Sequence, residues 1–101
     1  MIYFTQLIYL KEGKEETFLE FEDHVLPLLN RHGGKLVQRW RNTQGVVIHS
    51  EGAPPFELHL VSFESEAGFQ AYVNDPERTK AAHLKDGSVE KSVLIKGQVI
   101  A

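Results

Sequence analysis

The chain begins with a segment in which both alternating sets of side chains are apolar or aromatic. Alternation over residues 2–10 predicts a β-strand, and a strand with two apolar faces must be covered on both sides. The two sets are Ile2, Phe4 and Ile8 on one face and Tyr3, Leu7 and Tyr9 on the other.

Two longer segments carry apolar residues at the spacing of an amphipathic helix. The first covers residues 14–32, and Pro27 should kink it because proline removes a backbone donor. The second covers residues 65–84, with Ser65 as the N-cap and a second start that has Asp75 as its N-cap and Pro76 as its first residue. The apolar stripe of the first helix is Phe18, Phe21, Val25, Leu28, Leu29 and His32.

Three further strands are predicted over residues 35–41, 56–63 and 88–100, and residues 46–48 suggest an extra edge strand. Simple alternation in the second strand puts Leu36, Gln38 and Trp40 on one side and Val37, Arg39 and Arg41 on the other. The resulting order, β-α-β-β-α-β, predicts an antiparallel α+β sheet of the ferredoxin-like kind.

Two helices cover only one face of such a sheet. The other face, which includes the second apolar side of the first strand, is most simply buried against a second copy of the chain. We therefore expect a homodimer.

Composition narrows the class of protein. The 101 residues fit one domain, 1–101, and cysteine is absent, so no thiolate chemistry is available. The net charge is −3 with scattered lysines and arginines, which argues against nucleic-acid binding. No apolar run approaches the ~20 residues of a membrane span, and the N-terminus is typical of a strand rather than a signal peptide. A cytoplasmic protein without a membrane partner is expected.

Three short motifs resemble a family. They are His32-Gly33-Gly34, Phe63-Glu64-Ser65-Glu66-Ala67 and Asn74-Asp75-Pro76-Glu77. In order and spacing they are similar to a small uncharacterised family of the dimeric α+β barrel superfamily. The sequence departs from the usual family pattern at Glu64, Ala67 and Arg78, where proline, glutamate and tyrosine are customary.

The resemblance implies a two-sheet barrel formed by two protomers, with a pocket between each sheet and its helices. The superfamily includes cofactor-independent monooxygenases, small-lactone isomerases and haem-degrading enzymes. The expectation that follows is a small aromatic or lactone-like substrate and no cofactor.

Acid–base chemistry has three candidates, His24, His59 and Tyr72. None of the five histidines has the spacing of a metal motif, so no metal site is expected. His24 could equally lie in solvent among carboxylates. His59 could be a structural buried histidine that bonds to Gln6, Gln38 or Arg39.

The candidate ligand-binding residues are Arg39, Trp40, Phe69 and His83. Arginine can capture a carboxylate, and aromatic rings can line a pocket for a planar molecule. The alternatives are a solvated strand edge for the arginine and ordinary core packing for the aromatic residues.

Two functions stay open from the sequence, a small-molecule enzyme and a non-catalytic dimeric module that binds a small molecule or regulates a partner. A buried His–Tyr–Arg cluster with room for a ligand would favour the enzyme. A pocket filled by Phe18, Phe21, Phe69 and Trp40 would favour the module.

Overall fold

A computed structural model of the chain describes residues 1–100, and its core is a four-stranded antiparallel sheet. The strands are β1 (Ile2–Leu10), β2 (Gly34–Arg41), β3 (Glu57–Phe63) and β4 (Val89–Gly97). Their order across the sheet is β2-β3-β1-β4, so the doubly apolar first strand is central, with β3 and β4 as its neighbours. The predicted α+β, ferredoxin-like arrangement is confirmed.

The helices pack on one face of this sheet. They are α1 (Glu15–Val25), a 3₁₀ segment (Leu26–His32), α2 (Glu66–Val73), α3 (Pro76–Lys80) and α4 (Ala82–Ser88). The predicted caps form, because the Ser65 hydroxyl accepts from the Gly68 N–H over 3.1 Å and the Asp75 carboxylate accepts from the Glu77 N–H over 2.9 Å. Pro27 does not merely kink the first helix, since the α-helix ends before it and continues as 3₁₀ turns.

Two strand predictions need correction. Residues 46–48 form no strand among the described residues, and Ile48 is almost fully exposed, so that run has no sheet to pair with. The last strand is shorter than predicted, since it covers Val89–Gly97 and the residues before it complete α4.

A β-bulge in β2 reverses part of the predicted pattern. The ladder to β3 pairs Leu36 with Val61, skips Val37, and then pairs Gln38 with Leu60 and Arg39 with His59. One extra residue in a strand moves all later side chains to the opposite face. Arg39 therefore lies on the helix-facing side together with Leu36, contrary to the alternation predicted from the sequence.

The motifs that carry the family resemblance meet at one end of the helical layer. Gly33 ends the 3₁₀ segment with a left-handed φ of 72°, and its carbonyl accepts from the Glu64 N–H over 3.1 Å. The ring of His32 lies 2.7 Å, Nε2 to Oδ2, from Asp75. These residues fix how the first and second helical regions join, and their role is structural.

Candidate active site

A histidine and two glutamates form a buried cluster between the sheet and α1. His59 and Glu57 project from the helix-facing side of β3, and the Nε2 of His59 lies 2.5 Å from Oε1 of Glu57. Glu22 reaches the same nitrogen from α1, with its Oε2 at 2.8 Å. One ring N–H donates well to only one acceptor. The contact between His59 and Glu57 has the geometry of a hydrogen bond. Oε2 of Glu22 forms no hydrogen bond, although it lies 2.8 Å from the same nitrogen.

Two arginines on β2 hold these carboxylates. Arg39 donates through Nε to Oε1 of Glu57 over 2.7 Å and through Nη2 to Oε1 of Glu22 over 2.8 Å. Arg41 donates to Oε2 of Glu57 through Nε, over 2.9 Å, and through Nη2. Arginine therefore binds Glu57 at both oxygens, whereas it holds Glu22 only at Oε1, and Oε2 of Glu22 lies beside the imidazole of His59.

The surroundings of Glu22 and Glu57 move the pKa values of their carboxyl groups in opposite directions. Burial raises the pKa of Glu22, and the nearby Glu57 adds to that effect. Burial also acts to raise the pKa of Glu57, but hydrogen bonds from His59 and the two arginines lower it far below the usual range. For His59, burial opposes the charged form, yet both glutamates raise its pKa overall. Neighbouring groups with pKa values moved apart are typical of acid–base sites.

Glu22 and His59 border a cavity of about 160 Å³ between the sheet and the helices. Most of its wall is apolar, and Glu22 and His59 supply polar groups on one part of it. An apolar cavity of ~150 Å³ is large enough to hold a benzene ring. Its aromatic walls are Phe4, Phe18, Phe21, Phe63, Phe69 and Tyr72.

Three polar side chains from the short helices complete the wall. They are Tyr72 of α2, Arg78 of α3 and Lys85 of α4. The guanidinium of Arg78 lies 5.2 Å from the centroid of the Tyr72 ring, a cation–π distance. Burial raises the pKa of the Tyr72 hydroxyl, and Arg78 opposes that shift. The cavity thus combines a carboxylate, an imidazole, a phenol and two cations within an apolar enclosure.

The cluster also has the donor types of a metal site. One donor atom each from Glu22, Glu57 and His59 lies within 4.8 Å of the others. A bound cation would have to compete with Arg39 and Arg41, which already neutralise Glu57. The arrangement therefore favours proton transfer over metal coordination.

The structure brings three of the residues singled out in the sequence to the cavity. His59, Tyr72 and Phe69 line it, and Phe69 stacks on Phe4 with ring centroids 4.1 Å apart. Arg39 was expected to bind the carboxylate of a ligand, but the carboxylates that it binds are those of Glu22 and Glu57. Arg39 therefore supports the site without lining the cavity.

The other three candidate residues from the sequence lie away from the cavity. His24 is exposed on α1, and His83 is exposed on α4, where its ring bonds to the Lys80 carbonyl over 3.1 Å. Trp40 is 54% exposed on the sheet face opposite the helices. None of the three lines the cavity.

Sequence reasoning missed Glu22, Glu57 and Arg78. A signal for Glu22 was present, since it lies four residues after Phe18 and three before Val25, within the apolar stripe of α1. A carboxylate on a buried helix face needs an explanation. Arg78 gave no comparable signal, because its place depends on how three short helices join.

No family model and no curated protein matches this sequence, whereas solved structures do. A protein of unknown function from Rhodopseudomonas palustris aligns with a TM-score of 0.83 and 20% identity, over 99% of this chain and 82% of that one. A candidate antibiotic biosynthesis monooxygenase from Nitrosomonas europaea aligns with a TM-score of 0.76 and 10% identity over 100% of each chain. A dimeric ferredoxin-like protein of unknown function from Bacteroides fragilis aligns at 0.70 and 12%, over 97% and 95%.

These likenesses define the class of the fold. The chain is a ferredoxin-like α+β protein, and the structures it matches include uncharacterised dimeric members of that fold. The predicted resemblance is confirmed at this level. In the described part of the chain, no helix combines the length and the apolar character that crossing a bilayer requires.

Proposed function

We propose that the protein is an enzyme that moves a proton on a small cyclic, aromatic or lactone-like molecule, with Glu22 as the base. One observation carries the proposal: the buried carboxylate of Glu22 lines an apolar cavity, with Oε1 held by Arg39 and Oε2 beside the imidazole of His59. A positioned carboxylate with a raised pKa is suited to remove a proton from carbon near neutral pH.

The chemistry follows from the arrangement. Oε2 of Glu22 accepts a proton from a carbon next to a substrate carbonyl, and the C–H electron pair delocalises onto the carbonyl oxygen as an enolate. His59, whose pKa the two glutamates raise, stabilises that negative charge in its protonated form. In a substrate with a β,γ C=C bond the enolate extends over that bond, and return of the same proton from Glu22 to the γ carbon shifts the double bond to the α,β position and completes an isomerisation.

A second outcome for the enolate separates two enzyme classes. An enolate that reacts with dioxygen instead of recovering its proton would make the protein an oxygenase, the class named for the Nitrosomonas europaea protein. Both reactions share the proton abstraction, so Glu22 has the same role in each. Oxygen consumption alongside the isomerase assay distinguishes them.

The shape of the cavity favours an enzyme over a non-catalytic module. The aromatic side chains of Phe18, Phe21 and Phe69 wall the cavity and do not fill it, and Trp40 lies outside. The polar groups that converge there include a histidine, a tyrosine and an arginine, the combination expected of a catalytic pocket.

We also infer that the protein works as a homodimer through the sheet face that carries no helices. That face is apolar at its centre, since β1 places Leu7 between Leu58 of β3 and Val93 of β4. Ile95 and Trp40 extend the same surface and are each 54% exposed. An exposed apolar sheet face of this kind is typical of an interface, and the similar Bacteroides fragilis protein is described as dimeric.

Deuterium exchange tests the catalytic proposal. The wild type is incubated in D₂O with a panel of cyclic ketones, lactones and hydroxyarenes, and NMR follows loss of the proton next to the carbonyl or hydroxyl carbon. Glu22→Gln should slow the exchange by roughly 10²–10⁴-fold, the usual contribution of a general base. Glu20→Gln is the matched control, because Glu20 is exposed on the same helix.

The control should exchange at the wild-type rate. Equal exchange by wild type and Glu22→Gln for every compound that exchanges would show that Glu22 is not the base. Absence of protein-dependent exchange across the panel would favour the binding module instead.

A further inference from the structure

The cavity has a cationic end that the proton-transfer chemistry does not use. Arg78 and Lys85 both line it and are partly buried, and neither forms a salt bridge with any residue among 1–100. The Nε of Arg78 is buried without a hydrogen-bond partner. Buried arginine donors are normally satisfied, so an orphaned one beside an open cavity indicates a missing acceptor.

The charges of the residues that line the cavity also indicate a missing anion. Arg78 and Lys85 supply two positive charges, and Glu22 supplies the one carboxylate in the wall, which leaves an excess of one cation when His59 is neutral. Glu57, the other buried carboxylate of the cluster, lies behind the wall and is neutralised by Arg39 and Arg41. The cavity is therefore electropositive, although the chain as a whole carries a net charge of −3.

The two cations also disturb each other. Burial lowers the pKa of Lys85, and the positive charge of Arg78 lowers it further, although the carboxylate of Asp86 acts in the opposite direction. Two like charges in a partly buried site cost free energy unless an anion lies between them. The guanidinium of Arg78 lies over the ring of Tyr72, and its Nε is left without an acceptor.

The geometry points to a substrate that carries a carboxylate on a single ring, with the carboxylate held by Arg78 and Lys85 and the ring in the apolar part of the cavity. This inference rests on the proposed function, because it names the substrate class of the same cavity. The volume of about 160 Å³ suits one six-membered ring. Glu22 would then face the ring and act on a carbon away from the carboxylate.

Benzoate and its neutral isostere benzamide test this directly. Both are titrated into ¹⁵N-labelled wild type and followed by NMR, which includes the Nε–H signal of Arg78. Benzoate should shift that signal and bind about tenfold or more tightly than benzamide, because a hydrogen bond between charged groups is stronger than one to a neutral amide. No shift, or equal binding of the two compounds, overturns the inference.

Two variants locate the effect. Arg78→Gln should weaken benzoate binding about tenfold or more and leave benzamide binding unchanged. Lys80→Gln is the matched control, since it removes a cation whose side chain is 73% exposed on the same helix. Equal loss of benzoate binding in both variants would indicate general charge attraction and overturn the site. The wild-type Nε–H signal reports on the site even if Arg78→Gln folds poorly.

The result of the benzoate experiment can be distinguished from that of the deuterium-exchange experiment. Exchange that depends on Glu22, together with equal binding of benzoate and benzamide, would remove the carboxylate subsite and leave the base in place. Selective benzoate binding without any exchange would leave the subsite in place and remove the catalytic proposal.

Discussion

Arg41 and Glu57 lie directly opposite each other on β2 and β3, and the Nε of Arg41 donates to Oε2 of Glu57 over 2.9 Å. The carboxylate is fully buried, yet both of its oxygens are bound to arginine. This cross-strand pair exists because the bulge after Leu36 turns Arg39 and Arg41 toward the helices. It anchors His59, and through His59 the acid–base cluster.

Glu57→Gln should destabilise the fold by about 3 kcal/mol, because removal of one partner leaves the other charges of a buried network unpaired. Urea unfolding measures the change in the free energy of unfolding. Glu66→Gln is the control, since the Glu66–Lys96 pair is more than half exposed and should contribute less than about 1 kcal/mol. Equal effects of the two changes would contradict a structural role for the buried network.

The stability of the protein should fall as the pH rises above about 6.5, the ordinary pKa of histidine. Burial opposes the charge of His59, but Glu22 and Glu57 raise its pKa in the folded state. A base whose pKa is higher in the folded state than in the unfolded state makes its full contribution to stability at a pH below the unfolded-state pKa. That contribution is lost as the pH rises through the folded-state pKa.

The measurement is the free energy of unfolding between pH 6 and 8.5 for wild type, His59→Gln and His83→Gln. The His59 variant should lack the decline, whereas the His83 variant should follow the wild type, because His83 is exposed. A decline of the same size in all three proteins would place its origin outside the cluster.

Gly68→Ala should destabilise the fold by about 1–3 kcal/mol, because the added methyl group would collide with the backbone carbonyl of His32. Gly87→Ala is the matched substitution, since Gly87 lies in α4 with open space around it. That change should stabilise by about 0.4–1 kcal/mol through the reduced entropy of the unfolded chain. Thermal unfolding of the two variants should therefore move in opposite directions.

Ile95→Glu should convert the proposed dimer to a monomer, because it places a charge on the apolar sheet face. Size exclusion with light scattering should give half the wild-type mass. Ala71→Glu, on the exposed side of α2, should leave the mass unchanged. A monomeric wild type, or a dimeric Ile95→Glu variant, would refute this interface.

The elements and caps of the fold were predictable because they depend on local physics. Periodicity gave the four strands and the two helical regions, and side-chain chemistry gave the caps at Ser65 and Asp75. The candidate site was predictable only in part. His59 and Tyr72 line the cavity, whereas His24 lies on the exposed flank of α1, the second of the two positions that its sequence context allowed.

The sequence by itself determined the order of elements, the apolar face without helices and the presence of a buried histidine on β3, because each is recorded in the spacing of residues close together in the chain. Only the tertiary structure decided which charges meet that histidine. The bulge at Val37 reverses the faces of β2, and residues 17 or more positions apart, Glu22, Arg39 and Glu57, converge there. A one-residue shift in register depends on how the whole sheet packs, and local periodicity does not encode it.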